Sequence, residues 1–324
     1  MFQITNPIKI KLSRHLSYKR QGLYSVLFFS LIGFLLSVTQ FFGESPDYFN
    51  YESFFDLVRS QGMNILEVSR FEPGFSIFAV YLTHLFTSNV IVYSWIVATA
   101  MLLKGWVINV HTTNLKIFLL IAVFYVVRYF PLHELTQLRA AIAIALVMVG
   151  AMFVWQGKLL QGLLICVMAP FFQMSVAIII PALLLSVSKR WLAILIVSVA
   201  FILTSIFTGV VTGYLGDYIK ILDAYQNQGF FDEKPNPFAF QLLIDWGMII
   251  VALVMWNKLT LLMKRIILIE LIGMAIFYGG IEFGVIAHRI RELYSVFWVF
   301  FIADGLRLKA TKVLCFGFVL ICVL

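Results

Sequence analysis

Long runs of apolar residues, separated by short polar segments, make up most of the chain. Many of these runs approach the roughly 20 residues that an α-helix needs to cross the hydrocarbon core of a bilayer. The pattern therefore predicts an all-α fold, a polytopic integral membrane protein with about 11 transmembrane helices. The expected spans are residues 22–42, 73–88, 90–108, 115–130, 138–156, 159–187, 191–213, 239–256, 266–283, 288–304 and 309–324.

The whole chain, residues 1–324, is expected to be a single transmembrane domain, because none of the polar segments is long enough to form a soluble domain. The tail over residues 1–21 is basic, and we expect it to be cytoplasmic because positively charged segments stay on that side of the membrane. Residues 43–72 and 214–240 are then external loops, and the first of them contains an amphipathic helix.

The middle of the chain does not fit a simple alternation of spans. Counting crossings from the N-terminus places both Lys104 and Lys116 outside, whereas counting backward from Lys189, with residues 159–187 as two half-helices, places both inside. One segment between residues 73 and 187 is therefore expected to be broken or re-entrant. Residues 159–187 form either one tilted helix or two half-helices broken around Pro170.

Composition narrows the function classes. The chain is 62% hydrophobic and only 12% charged, whereas a soluble domain carries charge on roughly a quarter of its residues. Its net charge of +8 comes largely from short clusters beside apolar runs, which indicates membrane topology rather than nucleic-acid binding. The chain has no Walker motif, no G-x-S-x-G and no Cys/His metal spacing. We therefore expect neither a metal nor a cofactor.

Two carboxylates flank the first external loop. Asp47 follows Pro46 at a predicted helix start, where it is either a carboxylate at the mouth of an active site or a first-turn acid that complements the helix dipole. Glu72 directly precedes Pro73, which opens the second span. Because glutamate is a poor N-cap, a chemical role for Glu72 is favoured.

The segment "VVRYFPLHELTQLRAAIAIAL", residues 126–146, combines basic residues with a helix start. Pro131 is expected to begin a helix that runs to about residue 155, with His133 and Gln137 on one face. The free N–H groups of that helix, with Arg128 and Arg139 nearby, are suited to bind an anion. The alternative is an interfacial turn whose long side chains reach water.

Ionisable residues also interrupt the apolar sequence near the end, in "AHRIRELYSVF", residues 287–297. Arg289 and Glu292 are three residues apart and can pair, which would make a structural link between helices. That link leaves Arg291 unexplained, and two arginines suit a phosphate or pyrophosphate. In the loop over residues 214–240, tyrosines can stack on sugar rings or simply cover the helices. Glu270, deep in a span, faces a cavity or pairs with a lysine.

Four short motifs occur in a fixed order: "SPDYFNYESFF" after the first span, "RFEPGFSIF" at the second, "HELTQLRAAIAIAL" in the middle and "AHRIRELYSVF" near the end. By this order and spacing, over residues 47–304, the chain resembles the EpsG-like family of bacterial polysaccharide polymerases, which includes O-antigen polymerases of the Wzy type. One departure is "FFQMS", where the family often has histidine at the position of Gln173. This departure argues against an ionisable role there.

The resemblance implies a metal-independent glycosyltransferase, with a fold like that of multi-spanning GT-C-type glycosyltransferases that use lipid-linked donors. Such polymerases work on the outer face of the bacterial cytoplasmic membrane. They transfer a growing glycan from its undecaprenyl pyrophosphate carrier to a new lipid-linked repeat unit. The expected partners are these lipid-linked oligosaccharides, membrane lipids and a chain-length regulator protein, and no nucleic acid.

The resemblance also implies roles for the polar residues. Asp47 or Glu72 would be the general base for the acceptor hydroxyl, with His133 and His288 as second candidates. The residues expected to contact the glycan are Tyr48, Tyr51, Gln137, Tyr218 and Tyr225.

The arginines would take the part that a metal plays in nucleotide-sugar transferases. Arg139, Arg289 and Arg291 would hold the pyrophosphate leaving group, on which charge develops as the glycosidic bond breaks. A flippase or transporter for the same lipid-linked sugar would use the same arginines, although no repeated halves are detectable in the sequence. An O-antigen ligase or a related transferase is the other alternative, but a ligase often has a longer external loop.

Overall fold

The structure, a computed structural model, is helical throughout the segments that it describes. These segments contain no strand, so the predicted all-α fold is confirmed. The predicted span 191–213, and nearly all of the predicted loop 214–240, lie outside them, as does the first part of the basic tail. The described segments are residues 15–41, 47–112, 114–187, 236–281 and 284–323.

The chain divides into two compact units. The first contains Met1–Ile180 and Val319–Leu324, and the second contains Pro181–Phe318. The described helices up to residue 168 are α1 (His15–Val38), α2 (Tyr48–Gln61), α3 (Ile65–Val68), α4 (Pro73–Leu85), α5 (Asn89–His111), α6 (Leu115–Arg128), α7 (Phe130–His133), α8 (Leu138–Trp155) and α9 (Leu159–Met168).

Helices α5 and α8 form the centre of the first unit. α1 and α8 both pack against α5, and α9 packs on α8. Within the described part of the chain, α5 and α8 are also the two helices that are long and apolar enough to cross a membrane. α1 instead exposes Leu23, Leu27, Leu31 and Leu35, whose spacing of four puts them on one outward face.

Glycine allows α8 and α9 to approach until their backbones touch. A Cβ atom built on Gly150 would lie 2.7 Å from the carbonyl oxygen of Gly162, and one built on Gly162 would lie 2.6 Å from the carbonyl oxygen of Gly150. Neither position can accept a side chain unless the helices separate. Glycine also allows a close approach where α1 meets α5, because a Cβ on Gly105 would lie 2.9 Å from the ring of Phe29.

The helix predicted to run from Pro131 to residue 155 is broken, so that prediction is wrong. Pro131 lies in the four-residue helix α7, and α8 begins only at Leu138. In the turn between them, the hydroxyl of Thr136 donates to the carbonyl oxygen of Pro131 at 3.1 Å, and the N–H of Gln137 donates to that of Leu132. These bonds replace the helical pattern. The expectation that a span between residues 73 and 187 is broken or re-entrant concerns membrane crossings and stays a prediction.

A second break divides residues 159–187, as the half-helix alternative predicts. The α9 helix gives way at Pro170 to a short 3₁₀ turn, and Gln173 is extended, with φ −155° and ψ 109°. A second 3₁₀ segment, Met174–Ile178, then leads into helix α10 (Ile179–Ser186). The break exposes the backbone N–H of Met174 to a side-chain acceptor.

Helix α12 (Leu261–Gly279) organises the described part of the second unit, because it contacts α11 (Phe240–Val254), α13 (Gly284–Ser295) and α14 (Trp298–Gly305). Gly273 lies where α12 meets α13, and a Cβ there would lie 2.7 Å from Cγ of Tyr294. The predicted span 288–304 is two helices rather than one, since a turn at residues 296–297 separates α13 from α14. The helices are α11 (Phe240–Val254), α12 (Leu261–Gly279), α13 (Gly284–Ser295), α14 (Trp298–Gly305) and α15 (Lys309–Val323).

We expect Gly150→Val to lower the free energy of unfolding by about 2 kcal/mol, because overpacking a close contact typically costs 1–3 kcal/mol. Gly247→Val is the matched control, since a Cβ at this α11 position has no neighbour within 4 Å. The stability of both variants is measured by thermal unfolding of the detergent-purified proteins, with size-exclusion chromatography to monitor the loss of folded protein. Equal stability of the two variants would contradict the close approach of α8 and α9.

Candidate functional site

Arg139 lies at the N-terminal end of α8 and forms an ion pair with Glu72. Its Nη1 atom is 2.6 Å from Oε2 of Glu72, and the two side chains are 23% and 16% exposed. Because α8 begins at Leu138, Arg139 is the second residue of that helix rather than two turns inside it. Glu72 is the residue before Pro73, which begins α4. The pair therefore joins the start of α8 to the start of α4.

The second oxygen of Glu72 is also engaged. Its Oε1 atom accepts a hydrogen bond of 3.0 Å from the backbone N–H of Met174, in the second helix break. Glu72 thus connects three chain segments that are far apart in the sequence. With both oxygens occupied in this way, Glu72 is suited to be the counter-ion of Arg139.

Aromatic rings surround the guanidinium of Arg139. The ring centroid of Phe71 is 4.4 Å from its Cζ, a cation–π contact. Tyr51, from α2, is buried, and it interacts electrostatically with Arg139. Burial raises the pKa of Tyr51, although Arg139 acts in the opposite direction. The phenol is therefore protonated at neutral pH and can donate a hydrogen bond.

Asp47 and two further tyrosines, Tyr48 and Tyr93, form a cluster with Tyr51. The ring of Tyr93, on α5, is 5.4 Å from that of Tyr48 and 6.1 Å from that of Tyr51. Asp47 is half-buried and interacts electrostatically with both Tyr51 and Tyr93. Its carboxylate makes no capping bond to α2, and Asn50 approaches it at 3.5 Å. Of the two predicted bases, Glu72 has both carboxylate oxygens engaged, by Arg139 and by the N–H of Met174, and the catalytic roles of Asp47 and Glu72 stay predictions.

A fully buried polar network lies next to the same α8 terminus. Lys104, on α5, pairs with Glu134 in the turn after α7, and both side chains are completely buried. The hydroxyl of Tyr125 donates to the same carboxylate oxygen at 2.8 Å, and that of Tyr93 donates to the carbonyl of Leu135. The sequence showed Lys104 only as a topological anomaly. Its position within an apolar run is the signal that indicates a buried partner.

The remaining predicted residues of this region have different surroundings. His133 is completely buried, which does not favour direct contact with a substrate. Because of the helix break, His133 and Gln137 do not share the face of one helix, so that prediction is wrong.

Arg128 lies over the ring of Tyr129 and contacts Sγ of Cys322 at 2.9 Å, whereas Arg139 contacts Glu72. The two arginines thus have separate partners.

In the second unit, Arg291 is buried between two carboxylates. It pairs with Asp245 of α11, and its Nη1 is 3.2 Å from Oε2 of Glu270 on α12. Its Nε lies 3.2 Å from Sδ of Met274. Glu270 therefore pairs with an arginine rather than with a lysine. The charge of Arg291 is compensated twice, and the side chain joins three helices.

The other polar residues of α13 lie toward its surface. His288 and Arg289 are exposed, and Nε2 of His288 is 3.3 Å from Oε1 of Glu292. Arg289 is therefore better placed than Arg291 to meet a ligand that approaches from outside. The predicted roles of His288, Arg289 and Arg291 stay predictions.

Two predicted glycan contacts, Tyr218 and Tyr225, lie outside the described residues. Arg139 belongs to the first unit, and Arg289 and Arg291 belong to the second. The expected convergence of these arginines on one pyrophosphate stays a prediction.

The sequence profile of the EpsG family matches residues 25–324. The chain belongs to the EpsG family. This is a family of polysaccharide polymerase-like membrane proteins, so the resemblance seen in the four motifs is confirmed. No curated protein and no solved structure matches the chain.

The EpsG match includes the polar groups of both units. It extends from α1 to the end of the chain, and so it covers the Arg139–Glu72 pair as well as the α13 helix. Membership of a membrane family also agrees with the apolar α5 and α8 helices and with the leucines exposed on α1.

We expect Arg291→Ala to destabilise this EpsG protein by about 3 kcal/mol or more, because it leaves Asp245 and Glu270 buried without their cation. Arg289→Ala is the matched control, since that side chain is exposed on the same helix, and it is expected to change stability by less than about 0.5 kcal/mol. Denaturant titration of both purified proteins tests the difference. An Arg291→Ala protein as stable as the wild type would show that the triad is not structural.

Proposed function

We propose that this protein is a membrane glycosyltransferase that polymerises oligosaccharide repeat units linked to undecaprenyl pyrophosphate. The product is O-antigen or another surface polysaccharide, made on the outer face of the bacterial cytoplasmic membrane. Membership of the EpsG family supports the polymerase-like function. The observation that carries the chemistry is the partly exposed Arg139, which pairs with Glu72 and contacts the ring of Phe71. Asp47 interacts with Tyr51, which in turn interacts with Arg139.

The reaction needs a cation where the leaving group departs. The hydroxyl oxygen of the acceptor sugar attacks the anomeric carbon of the donor glycan and forms the new glycosidic bond. The bond from that carbon to the pyrophosphate oxygen breaks, and its electron pair leaves with the pyrophosphate. The guanidinium of Arg139 stabilises this developing charge.

Proton transfer is assigned to Asp47. The acceptor hydroxyl loses its proton as the glycosidic bond forms, and the Asp47 carboxylate takes it. Glu72 holds Arg139 in place until the pyrophosphate arrives. Of the two tyrosines proposed to contact the glycan, Tyr48 is the better placed, because it is only half-buried whereas Tyr51 is buried.

The membrane arrangement completes the proposal. We infer about 11 spans with a cytoplasmic N-terminus in a single transmembrane domain that resembles GT-C-type transferases. The leucine face of α1 is suited to lipid, and the polyprenyl chains of both substrates would lie in the same hydrocarbon layer. Further proposed elements are the glycan contacts of Gln137, Tyr218 and Tyr225 and a chain-length regulator protein as partner.

Complementation of a deletion strain tests the function. We expect Arg139→Ala, at normal membrane abundance, to leave surface carrier lipid capped by a single repeat unit and to abolish the polysaccharide ladder on a gel. Arg139→Lys should restore a weak ladder, because it keeps the charge but loses the planar fork. The control is Arg307→Ala, an exposed arginine near the start of α15, which should give a full ladder.

The other outcomes separate the alternatives. If no repeat unit reaches the surface of the deletion strain, the missing step is transport, and the flippase alternative replaces the polymerase. If repeat units polymerise but are not attached to their final acceptor, the ligase alternative is correct. A full ladder from Arg139→Ala would remove Arg139 from the mechanism.

A pair of isosteric variants tests the base. Asp47→Asn should lower the turnover of purified protein on lipid-linked repeat units by about 100-fold or more, because a positioned base contributes 10²–10⁴-fold. Glu72→Gln should retain more activity than Asp47→Asn, since the amide oxygen can still accept from the Met174 N–H. The measurement is single-turnover product formation with saturating substrate. The reverse order of the two activities would make Glu72 the base.

A further inference from the structure

The turn that precedes Arg139 is held from two neighbouring helices. Lys104 and Tyr93 on α5 bind the Glu134 carboxylate and the Leu135 carbonyl, and Tyr125 on α6 binds the same carboxylate. Four residues, 134–137, connect α7 to α8. Two of the four are therefore fixed directly by residues of other helices.

The rest of the turn is fixed internally. The Thr136 hydroxyl and the Gln137 N–H each donate at 3.1 Å to a carbonyl oxygen of α7. α8 then begins at Leu138, and Arg139 is the next residue. The position at which α8 starts, and hence the position of the Arg139 side chain, follows from the conformation of this turn.

Stability alone does not account for a buried ion pair here. Replacing such a pair by apolar side chains of similar volume is often neutral or stabilising, because each charge has lost its hydration. A lysine within an apolar helix is costly for the same reason. Unlike apolar side chains, Lys104 and Glu134 can pair only when α5 and the turn have one specific alignment.

The network also touches the candidate site through Tyr93. Its hydroxyl donates to Leu135, while its ring contacts the rings of Tyr48 and Tyr51. Tyr51 in turn interacts with Arg139. Two routes therefore run from the network to the guanidinium, one through the turn and one through the tyrosines.

We propose that the buried Lys104–Glu134 pair, with Tyr93, is a positioning device that sets Arg139 for binding the pyrophosphate group of the lipid-linked donor. This inference rests on the proposed function and names residues that act on that site without touching the substrate. Lys104, Glu134 and Tyr93 are positioning residues, and Arg139 is the residue through which they act.

The test uses the full-length purified protein and inorganic pyrophosphate as the probe. The double variant Lys104→Met with Glu134→Gln removes both charges and keeps an acceptor for the Tyr125 hydroxyl. We expect its Tm to stay within about 5 °C of the wild type and its Kd for pyrophosphate to rise about tenfold, a coupling of about 1.4 kcal/mol. The measurements are thermal unfolding and calorimetric titration.

A double-mutant cycle separates positioning from general damage. In an Arg139→Ala background, the Lys104→Met with Glu134→Gln change should raise the Kd by less than about twofold, because the residue through which it acts is gone. An unchanged Kd in the wild-type background, or the same tenfold loss in both backgrounds, would overturn the proposal.

A milder variant covers the case in which the double variant does not fold. Tyr93→Phe removes only the hydrogen bonds from the hydroxyl to the carbonyls of Glu134 and Leu135, and it keeps the ring contacts. It should raise the Kd about threefold, again only when Arg139 is present, and the absence of this effect would overturn the proposal.

The outcomes also separate this inference from the proposed function. If the wild type binds pyrophosphate and Arg139→Ala binds it more weakly, while all network variants bind normally, the positioning proposal is wrong and the proposed function stands. If the wild type does not bind pyrophosphate, both fail.

Discussion

A charge placed among apolar side chains must be neutralised, and this constraint organises the described structure. Lys104 meets Glu134, and Arg291 meets Asp245 and Glu270, in each case with side chains that are almost completely buried. Leaving one such group without its partner costs several kcal/mol. The helices that carry these residues can therefore pack only in arrangements that bring the opposite charges together.

The breaks in the helices occur next to these neutralised charges. Glu134 lies in the turn between α7 and α8, and Arg291 lies on α13, four residues before its end at Ser295. A helix that continued through either break would have no free end at that point, because its backbone groups would be bonded within the helix. The breaks instead create new helix ends inside the fold, where polar groups can face one another. Glu72 uses one such end, at Met174, and the Arg139 site is built at another.

The sequence pattern was sufficient to predict the all-α fold and the segments that contain the polar residues, because apolar runs and proline positions are local properties. It predicted the break at Pro170 as one of two alternatives, and it singled out Glu72 and Arg139, which form an ion pair. It failed at the turn before α8, since the segment around Pro131 is compatible with a continuous helix. The residue that fixes the turn, Lys104, lies 30 positions away from Glu134.

The same limit applies to the two arginines of α13. Their spacing shows that they point in different directions, but it does not show which direction is inward. That choice is made by Asp245 and Glu270, which lie on other helices. A pattern within one segment carries no information about charges that a distant segment presents, so pairing specificity could not be predicted from the sequence alone.

The pairs also differ in what they leave for a ligand. Arg291 has two carboxylates and is 3% exposed, so a phosphate would have to displace a compensated, desolvated charge. Arg139 has one carboxylate partner, has 23% of its side chain exposed, and contacts an aromatic ring that stabilises the cation without neutralising it. Under the proposed function, a pyrophosphate would replace a single carboxylate, Glu72, as the partner of a guanidinium that is still partly exposed. Burial and counter-ion number thus distinguish a structural arginine from one suited to chemistry.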